Sequence, residues 1–232
     1  MTPAVAVTGA AGFVGQALIA RLLAEGHRVR ALVHRRALAV IHPALESVAG
    51  GLDDDGALAR LMDGAGVVVH VAGVVRGRDA RDFLPVNAEG VARVARAAEA
   101  QAVPPRVILI SSLAARAPHV SHYAASKRAG EARLAQTGLD HAILRPPAIY
   151  GPGDRELVPL FDLMARGIVP LPGGAAARAS LLHVDDLARA ILALIARPAR
   201  ATFELDDGRS GGYGWEEIAE IVEQVAGRGR GW

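Results

Sequence analysis

Residues 8–15 read Thr-Gly-Ala-Ala-Gly-Phe-Val-Gly, and this stretch decides the fold class. It follows Ala4–Thr8, a short apolar run typical of a strand that is buried on both faces of a parallel sheet. It leads into residues 13–25, whose apolar positions have helical spacing and end at Gly26, a suitable C-cap. A strand, a glycine-rich turn and a helix in this order predict a dinucleotide-binding α/β unit. A plain tight turn is the alternative interpretation.

The three glycines of this turn each have an expected task. A pyrophosphate needs backbone N–H donors at a helix N-terminus, with no side chain blocking its approach. We expect Gly9 to make the turn, Gly12 to admit the phosphates and Gly15 to let the helix pack on the sheet. The spacing is G-x-x-G-x-x-G, whereas many dinucleotide sites have G-x-G-x-x-G.

Strand and helix patterns alternate along the chain as far as Pro146. The predicted strands are 28–33, 67–71, 107–111 and 141–144, and the predicted helices are 55–62, 86–100 and 123–136. Such alternation predicts a Rossmann-type doubly wound parallel sheet, an α/β fold with helices on both faces.

The chain after Pro146 is punctuated by Pro and Gly. There we predict strands at 181–184 and 202–205, helices at 156–166, 185–196 and 215–226, and a frayed tail at 227–232. Asp185 or Asp186 is the expected N-cap of the helix that begins at 185. We therefore expect two domains: 1–147 with 180–199 as the dinucleotide-binding domain, and 148–179 with 200–232 as a small substrate-binding lobe.

Composition excludes several classes of protein. Hydrophobic residues make up 51% of the 232 residues, which is ample for a buried core. Without cysteine the chain has no disulfide, thiolate metal site or cysteine nucleophile. We expect no membrane span, no signal peptide and a cytoplasmic location, because no run approaches ~18 apolar residues and no basic segment precedes the first strand. Although the pI is near 9.5, the net charge is only +2 and the arginines alternate with acids, so we expect no nucleic-acid partner.

His34, Arg35 and Arg36 follow the second predicted strand. A site for NAD usually has an acidic residue here that holds the ribose hydroxyls, whereas a basic cluster suits the 2′-phosphate of NADP. We therefore expect NADP as the cofactor, with NAD as the alternative if these residues only form a solvated loop.

The third feature is Ser112 together with Tyr123 and Lys127. Lys127 is the only lysine in the chain, and it lies four residues after Tyr123, on the same face of a predicted helix. A free tyrosine has a pKa of ~10, and a neighbouring ammonium favours the phenolate. Such a tyrosine can exchange a proton with an alcohol or carbonyl while hydride moves to or from nicotinamide, and Ser112 can orient the same oxygen.

The chain resembles the extended branch of the short-chain dehydrogenase/reductase superfamily, specifically its NAD-dependent epimerase/dehydratase family. The resemblance covers nearly the whole chain. It rests on residues 9–15, His70-Val-Ala-Gly73, Asn87-Ala-Glu-Gly90, Ser111-Ser112, the Tyr123/Lys127 pair, residues 144–154 and His183-Val-Asp-Asp-Leu187.

The resemblance implies a catalytic triad of Ser112, Tyr123 and Lys127. It also implies a set of residues that contact the cofactor. These are Gly9, Ala11, Gly12, Phe13, Val14, Gly15, His34, Arg35, Arg36, Leu52, Val71, Ala72, Gly73, Asn87, Lys127 and Pro146. The implied substrate is a small-molecule carbonyl or alcohol, or a nucleotide sugar, and many relatives pair as homodimers through two of the predicted helices.

The chain departs from the family pattern in three places. Gly51-Leu52 stands where the family often has Asp-Leu, and only 11 positions separate Ser112 from Tyr123, fewer than in nucleotide-sugar epimerases. Extended members usually have about 300 residues, so the substrate lobe is expected to be reduced. Residues 26–34 look more like reductases that act on flavonoid or sterol-type ketones.

Three functional alternatives follow from these patterns. The first is a reductase or dehydrogenase, the second an epimerase that oxidises and re-reduces one carbon, and the third a non-catalytic dinucleotide sensor or assembly subunit. The spacing of His119 and His122 resembles that of metal ligands, but no third ligand stands nearby. We therefore expect loop histidines rather than a metal site.

Overall fold

The computed structural model describes residues 3–228, except for the side chain of Arg228. The strands are β1 (Ala4–Thr8), β2 (Val29–Val33), β3 (Leu45–Ala49), β4 (Ala65–His70), β5 (Arg106–Ile110), β6 (His141–Arg145), β7 (Ala148–Tyr150), β8 (Arg178–Ala179), β9 (Leu181–His183), β10 (Thr202–Glu204) and β11 (Tyr213–Gly214). The helices are α1 (Phe13–Ala24), α2 (Asp55–Met62), α3 (Ala80–Leu84), α4 (Gly90–Glu99), α5 (His122–Ala135), α6 (Val158–Ala165), α7 (Val184–Ala196) and α8 (Trp215–Arg228). A π-helical segment, Pro85–Glu89, joins α3 to α4, and a 3₁₀ turn, Leu113–Arg116, precedes α5.

Seven parallel strands form the main sheet in the order β10-β6-β5-β4-β1-β2-β3. This architecture confirms the predicted Rossmann-type α/β fold. All five residues of β1 are buried, as are all five of β5, because both strands are covered on two faces. The chain winds outward in opposite directions from β1 and β4, so the carboxyl ends of these two strands flank the crevice where such sheets bind ligands.

The hydrophobic core under one face of the sheet includes residues from α2, α4 and α5. Its fully buried members include Ala6, Leu58, Leu61, Val68 and Leu134. On α1 the buried residues Leu18, Ile19 and Leu22 form the stripe that packs on β1 and β2.

The chain divides into two compact units. Of the described residues, 3–146 and 185–205 form the larger unit, and 147–184 and 206–228 form the smaller one. The expected division differs at two segments. Residues 200–205 join the larger unit because β10 pairs with β6, and residues 180–184 join the smaller unit because β9 pairs with β7.

The smaller unit has its own core around Met164, Ile218 and Ala219. Besides the β7–β9 pair it contains the antiparallel pair of β8 and β11. The indole of Trp215 donates a hydrogen bond of 3.0 Å to the carbonyl of Pro172, which ties the start of α8 to a proline-rich loop.

Several details of the sequence prediction were wrong. The strand β3 was missed because Leu45–Ala49 mixes polar and apolar residues without an apolar run. The helix α7 begins at Val184, so Asp185 and Asp186 lie in its first turn rather than at the N-cap position, and their charges favour the helix dipole. The helix predicted at 86–100 begins with the π-helical segment. In the predicted tail, residues 227–228 belong to α8, and 229–232 lie outside the described residues.

No helix within residues 3–228 is both long enough and apolar enough to cross a membrane.

Candidate active site

The glycine turn packs directly against the end of β4. Gly9 has a φ of +69°, and a Cβ there would lie 2.5 Å from the Ala72 backbone nitrogen. A Cβ at Gly15 would lie 2.2 Å from the Gly9 carbonyl oxygen. Both distances are far below a permitted contact, so only glycine allows this turn, the helix and the 71–73 segment to approach so closely.

The N-terminus of α1 has no side-chain cap. Its N-cap residue is the exposed Gly12, which provides no side-chain acceptor, and the first turn contains no acidic residue. In contrast, Asp54 caps α2 by accepting from the Ala57 N–H at 2.9 Å, and Ser121 caps α5 by accepting from the Ala124 N–H at 3.0 Å. An uncapped helix start with open N–H donors fits a phosphate group, so the residues present suit a dinucleotide.

A buried pair fixes the carboxyl ends of β1 and β4. Thr8 and His70 stand opposite each other in the sheet, and the Thr8 hydroxyl and His70 Nδ1 are 2.8 Å apart. Burial lowers the pKa of His70 to about 3, with a further contribution from Lys127, so this imidazole is neutral at physiological pH. The neighbouring Val71 and Ala72 are half-buried, and Gly73 is exposed, which leaves its backbone open to a ligand.

Ser112 and Tyr123 come together as the sequence predicts. Ser112 caps the 3₁₀ turn by accepting from the Ala114 N–H at 3.2 Å, and its hydroxyl also interacts with the Tyr123 phenol. The phenol ring packs edge-to-face on Phe83, with ring centroids 6.0 Å apart. Burial raises the pKa of Tyr123, and the Ser112 hydrogen bond opposes this rise. We expected a neighbouring ammonium to lower this pKa, but the pKa is raised, and its causes are burial and the opposing Ser112 hydrogen bond.

Lys127 lies one helical turn after Tyr123 and is almost completely buried. Its Nζ donates a hydrogen bond of 2.8 Å to the Ile110 carbonyl, at the end of β5. Burial lowers the pKa of Lys127 to about 8, while Glu131 opposes this effect. A Cβ placed on Gly73 would lie 3.5 Å from Nζ, so this ammonium borders the 71–73 segment, which the family resemblance places in contact with the cofactor.

Asn87 joins the 71–74 segment to the catalytic helix. Its side chain accepts from the Val74 N–H at 2.8 Å and donates to the Val74 carbonyl at 2.9 Å. The same amide donates to Ser126 Oγ at 2.9 Å, and Ser126 donates to the Tyr123 carbonyl at 2.7 Å. Through these contacts Asn87 holds the 71–74 segment against α5, a structural role that the sequence analysis did not predict.

The structure adds a buried carboxylate that sequence analysis missed. Glu131 lies one turn after Lys127 and accepts hydrogen bonds from Ser111 at 2.6 Å and from two nitrogens of Arg145 at 2.9 and 2.6 Å. The i, i+4 spacing from Lys127 was the one signal in the sequence that could have found it.

The remaining residues that are expected to contact the cofactor lie outside this cluster. His34, Arg35 and Arg36 are exposed beyond the end of β2. Leu52 packs towards α4, because a Cβ on Gly90 would lie 2.8 Å from its Cδ1. The buried Pro146 accepts from the Leu113 N–H at 2.8 Å and so holds the 3₁₀ turn to the end of β6.

Other candidates lie elsewhere. In the smaller unit Tyr150 and His183 pack edge-to-face with centroids 5.2 Å apart. His119 and His122 are exposed, and residues 3–228 contain no cluster of three or more histidine or acidic side chains that could hold a metal ion.

Comparison with known proteins assigns this geometry to a family. The family model for the NAD-dependent epimerase/dehydratase family matches residues 5–204. Ceramide reductase of Caulobacter vibrioides is 43% identical over 228 residues, which are 96% of this chain and 70% of that protein.

Solved structures match over a similar extent. MoeE5 in complex with UDP-glucose and NAD has a TM-score of 0.80 and 26% identity, covering 97% of this chain and 82% of that one. The Bordetella bronchiseptica enzyme WbmH in complex with NAD⁺ has a TM-score of 0.82 and covers all of this chain and 83% of its own, but at 23% identity it supports the fold alone. The family and these relatives indicate an NAD-dependent oxidoreductase or epimerase.

Proposed function

The chain belongs to the NAD-dependent epimerase/dehydratase family, and from this premise we propose that it reduces a carbonyl group with Tyr123 as the proton donor. The observation that carries the proposal is the grouping of Ser112, Tyr123 and the buried Lys127 at the carboxyl ends of β5 and β4. In an enzyme of this kind the nicotinamide cofactor supplies the hydride.

The residues that would hold the dinucleotide are grouped along the crevice. The open N–H groups at the start of α1 suit the pyrophosphate, and the exposed backbone at Gly73, beside Lys127 Nζ, suits a ribose. Leu52 and Pro146 are positioned by packing, and Asn87 supports the 71–74 segment from behind.

Reduction with Tyr123 as the acid requires a protonated phenol, and the raised pKa of Tyr123 meets this requirement. Reduction adds a hydride to the carbonyl carbon and a proton to its oxygen. Because burial keeps the phenol protonated, Tyr123 enters the reaction as an acid that donates this proton, while Ser112 donates a hydrogen bond to the same oxygen. The Lys127 ammonium, one helical turn away, stabilises the phenolate until solvent returns a proton.

The proposed substrate is a ketone on a long-chain lipid. The 43% identity to a ceramide reductase supports this class.

A nucleotide sugar is the second candidate substrate, with epimerase or dehydratase chemistry. The observation that favours it is the fold match to MoeE5, whose structure contains UDP-glucose. Tyr123, once it has lost its own proton to solvent, would then first accept a proton from a sugar hydroxyl while hydride passes to the nicotinamide, with the Lys127 ammonium stabilising the phenolate.

NADP is the proposed cofactor, with NAD as the alternative. Arg35 and Arg36 stand exposed beyond β2, at the end where a 2′-phosphate would be bound. A homodimer, paired through α4 and α5 as in many relatives, belongs to the same proposal.

The test is an assay of the purified protein with two readouts. Oxidation of NADPH is followed with a ceramide-type long-chain ketone, a ketosteroid and short aldehydes, and UDP-glucose is incubated with cofactor and analysed by chromatography, because epimerisation and dehydration consume no net NADPH. Turnover of the long-chain ketone is expected. Turnover of UDP-glucose alone would favour the nucleotide-sugar epimerase or dehydratase. Tight cofactor binding without any turnover would favour a non-catalytic sensor.

A further inference from the structure

Glu131 is held by three neighbours, two from the ends of sheet strands and one from its own helix. Arg145 at the end of β6 makes a bidentate pair with it, and Ser111 just beyond β5 donates a hydrogen bond of 2.6 Å. Arg128 on the same helix lies 3.4 Å away. Burial alone would raise the pKa of Glu131, but the bonds from Arg145 and Ser111 hold it below its usual value, so the carboxylate is charged.

The charges continue outward from this carboxylate in alternating sign. Arg145 also pairs with Glu204 on β10 at 3.1 Å, and Glu204 pairs with Arg116 at 3.2 Å. Arg116 belongs to the 3₁₀ turn that Ser112 caps. The chain of ion pairs therefore begins on the helix of Tyr123 and Lys127 and returns to the segment that carries Ser112.

Lys127 faces few groups that can compensate its charge. From β4, His70 is neutral, and from β5 the Ile110 carbonyl accepts a hydrogen bond from Nζ. On its own helix Tyr123 is protonated, and Glu131 is the anion that acts on it, while Arg145 stands behind that carboxylate. The ammonium of a buried lysine is costly to maintain without such an anion.

We propose that Glu131 is a positioning residue: its buried carboxylate keeps the Lys127 ammonium charged and fixes the Ser111–Ser112 segment against the helix that carries Tyr123. The consequence for turnover rests on the proposed function, whereas the electrostatic part holds for the protein by itself.

The first test uses the fact that Lys127 is the only lysine. Lysine labelled with ¹³C at Cε gives one side-chain signal, whose chemical shift follows the protonation of Nζ. In the unaltered protein the signal is expected to titrate near pH 8. In Glu131→Gln the midpoint falls by about one pH unit or more, because the nearby anion is gone.

The matched control is Glu89→Gln. Glu89 is an exposed carboxylate at the end of the π-helical segment. It pairs at 2.9 Å with Arg133, which lies on α5 two residues beyond Glu131. This variant is expected to titrate like the unaltered protein, and Glu131→Asp, which keeps the charge, should restore most of the midpoint. Equal midpoints in Glu131→Gln and the unaltered protein would overturn the proposal.

A second variant separates positioning from charge and is available if Glu131→Gln does not fold. Ser111→Ala removes one hydrogen bond but keeps the carboxylate, so the lysine midpoint stays and kcat falls about tenfold with little change in the KM for the cofactor. An unchanged kcat would overturn the positioning part. Because the lysine titration needs no substrate, a protein without hydride-transfer activity would refute the proposed function alone, and an active protein whose lysine ignores Glu131 would refute this inference alone.

Discussion

The buried cluster around Lys127 and the exposed segment 34–36 are both polar parts of the larger unit, yet they differ completely in their surroundings. Lys127, Glu131 and Asn87 are almost fully buried, and each is fixed by hydrogen bonds. Lys127 donates to the Ile110 carbonyl, Glu131 accepts from Ser111, and Asn87 accepts from the Val74 N–H. His34, Arg35 and Arg36 lie exposed to solvent after β2.

This difference in burial predicts which substitutions the protein tolerates. A buried charge depends on each of its partners, so a small alteration of donor shape or charge has a large effect. Exposed charges are screened by water and salt, so substitution there is expected to adjust affinity without damaging the fold. Under the proposed function, the proton-transfer chemistry therefore belongs to the buried cluster, and cofactor preference to the exposed segment.

The largest effect is expected from Lys127→Arg. This change keeps the charge, but the guanidinium is larger and planar and does not fit the buried site beside Ile110. We predict a fall of about 1,000-fold in kcat/KM, measured by NADPH oxidation with the preferred substrate. Arg133→Lys, the reverse swap at an exposed position of the same helix, is the control and should leave kcat/KM unchanged. Near-normal activity of Lys127→Arg would show that the buried site tolerates a change of donor shape. The contrast between this site and the exposed segment 34–36 would then not hold.

The next largest effect is on the free energy of unfolding, which depends on pH through the buried Lys127. Because burial lowers the pKa of Lys127 to about 8, the folded state binds this proton less tightly than the unfolded state, whose lysine has a pKa of 10.5. The cost of the buried charge is therefore fully present below pH 8 and disappears as the pH rises towards 10.5. We predict that Lys127→Met is more stable than the unaltered protein at pH 7, by as much as about 3 kcal/mol, although it is inactive.

Urea unfolding of the two proteins from pH 7 to pH 10 checks this prediction. The difference in the free energy of unfolding should shrink above pH 8, and other titrating groups cancel in the comparison. A difference that is constant with pH would mean that Lys127 is not held at a depressed pKa.

The smallest effect is expected at the exposed segment. The double variant Arg35→Ser/Arg36→Ser should weaken NADP⁺ binding about tenfold and leave NAD⁺ binding and the thermal midpoint nearly unchanged, since only the 2′-phosphate loses its partners. Calorimetric titration with both cofactors measures this. Tighter binding of NAD⁺ than NADP⁺ by the unaltered protein would refute the cofactor assignment.

Much of the fold and of the reaction centre could be predicted from local sequence signals. The glycine spacing at 9–15 requires close packing that only glycine permits, and the lone Lys127 stands one helical turn from Tyr123. These signals are short-range, so they are visible without a structure.

The rest depends on contacts between distant parts of the chain. Glu131 acquires its role from Ser111 and Arg145, which reach it only after β5 and β6 pair. The raised pKa of Tyr123 results from burial, which no residue spacing encodes. The strand β3 was missed because it takes its place by pairing with β2 rather than by its own hydrophobic pattern.

The most direct test of the central claim is the Tyr123→Phe variant, assayed for both binding and turnover. Loss of the phenolic oxygen removes the proton donor but keeps the ring that packs on Phe83. We predict that kcat/KM falls about 1,000-fold while the Kd for NADPH changes less than about threefold. Full turnover by a folded, cofactor-binding Tyr123→Phe protein would contradict the assignment of Tyr123 as the acid of a hydride-transfer enzyme.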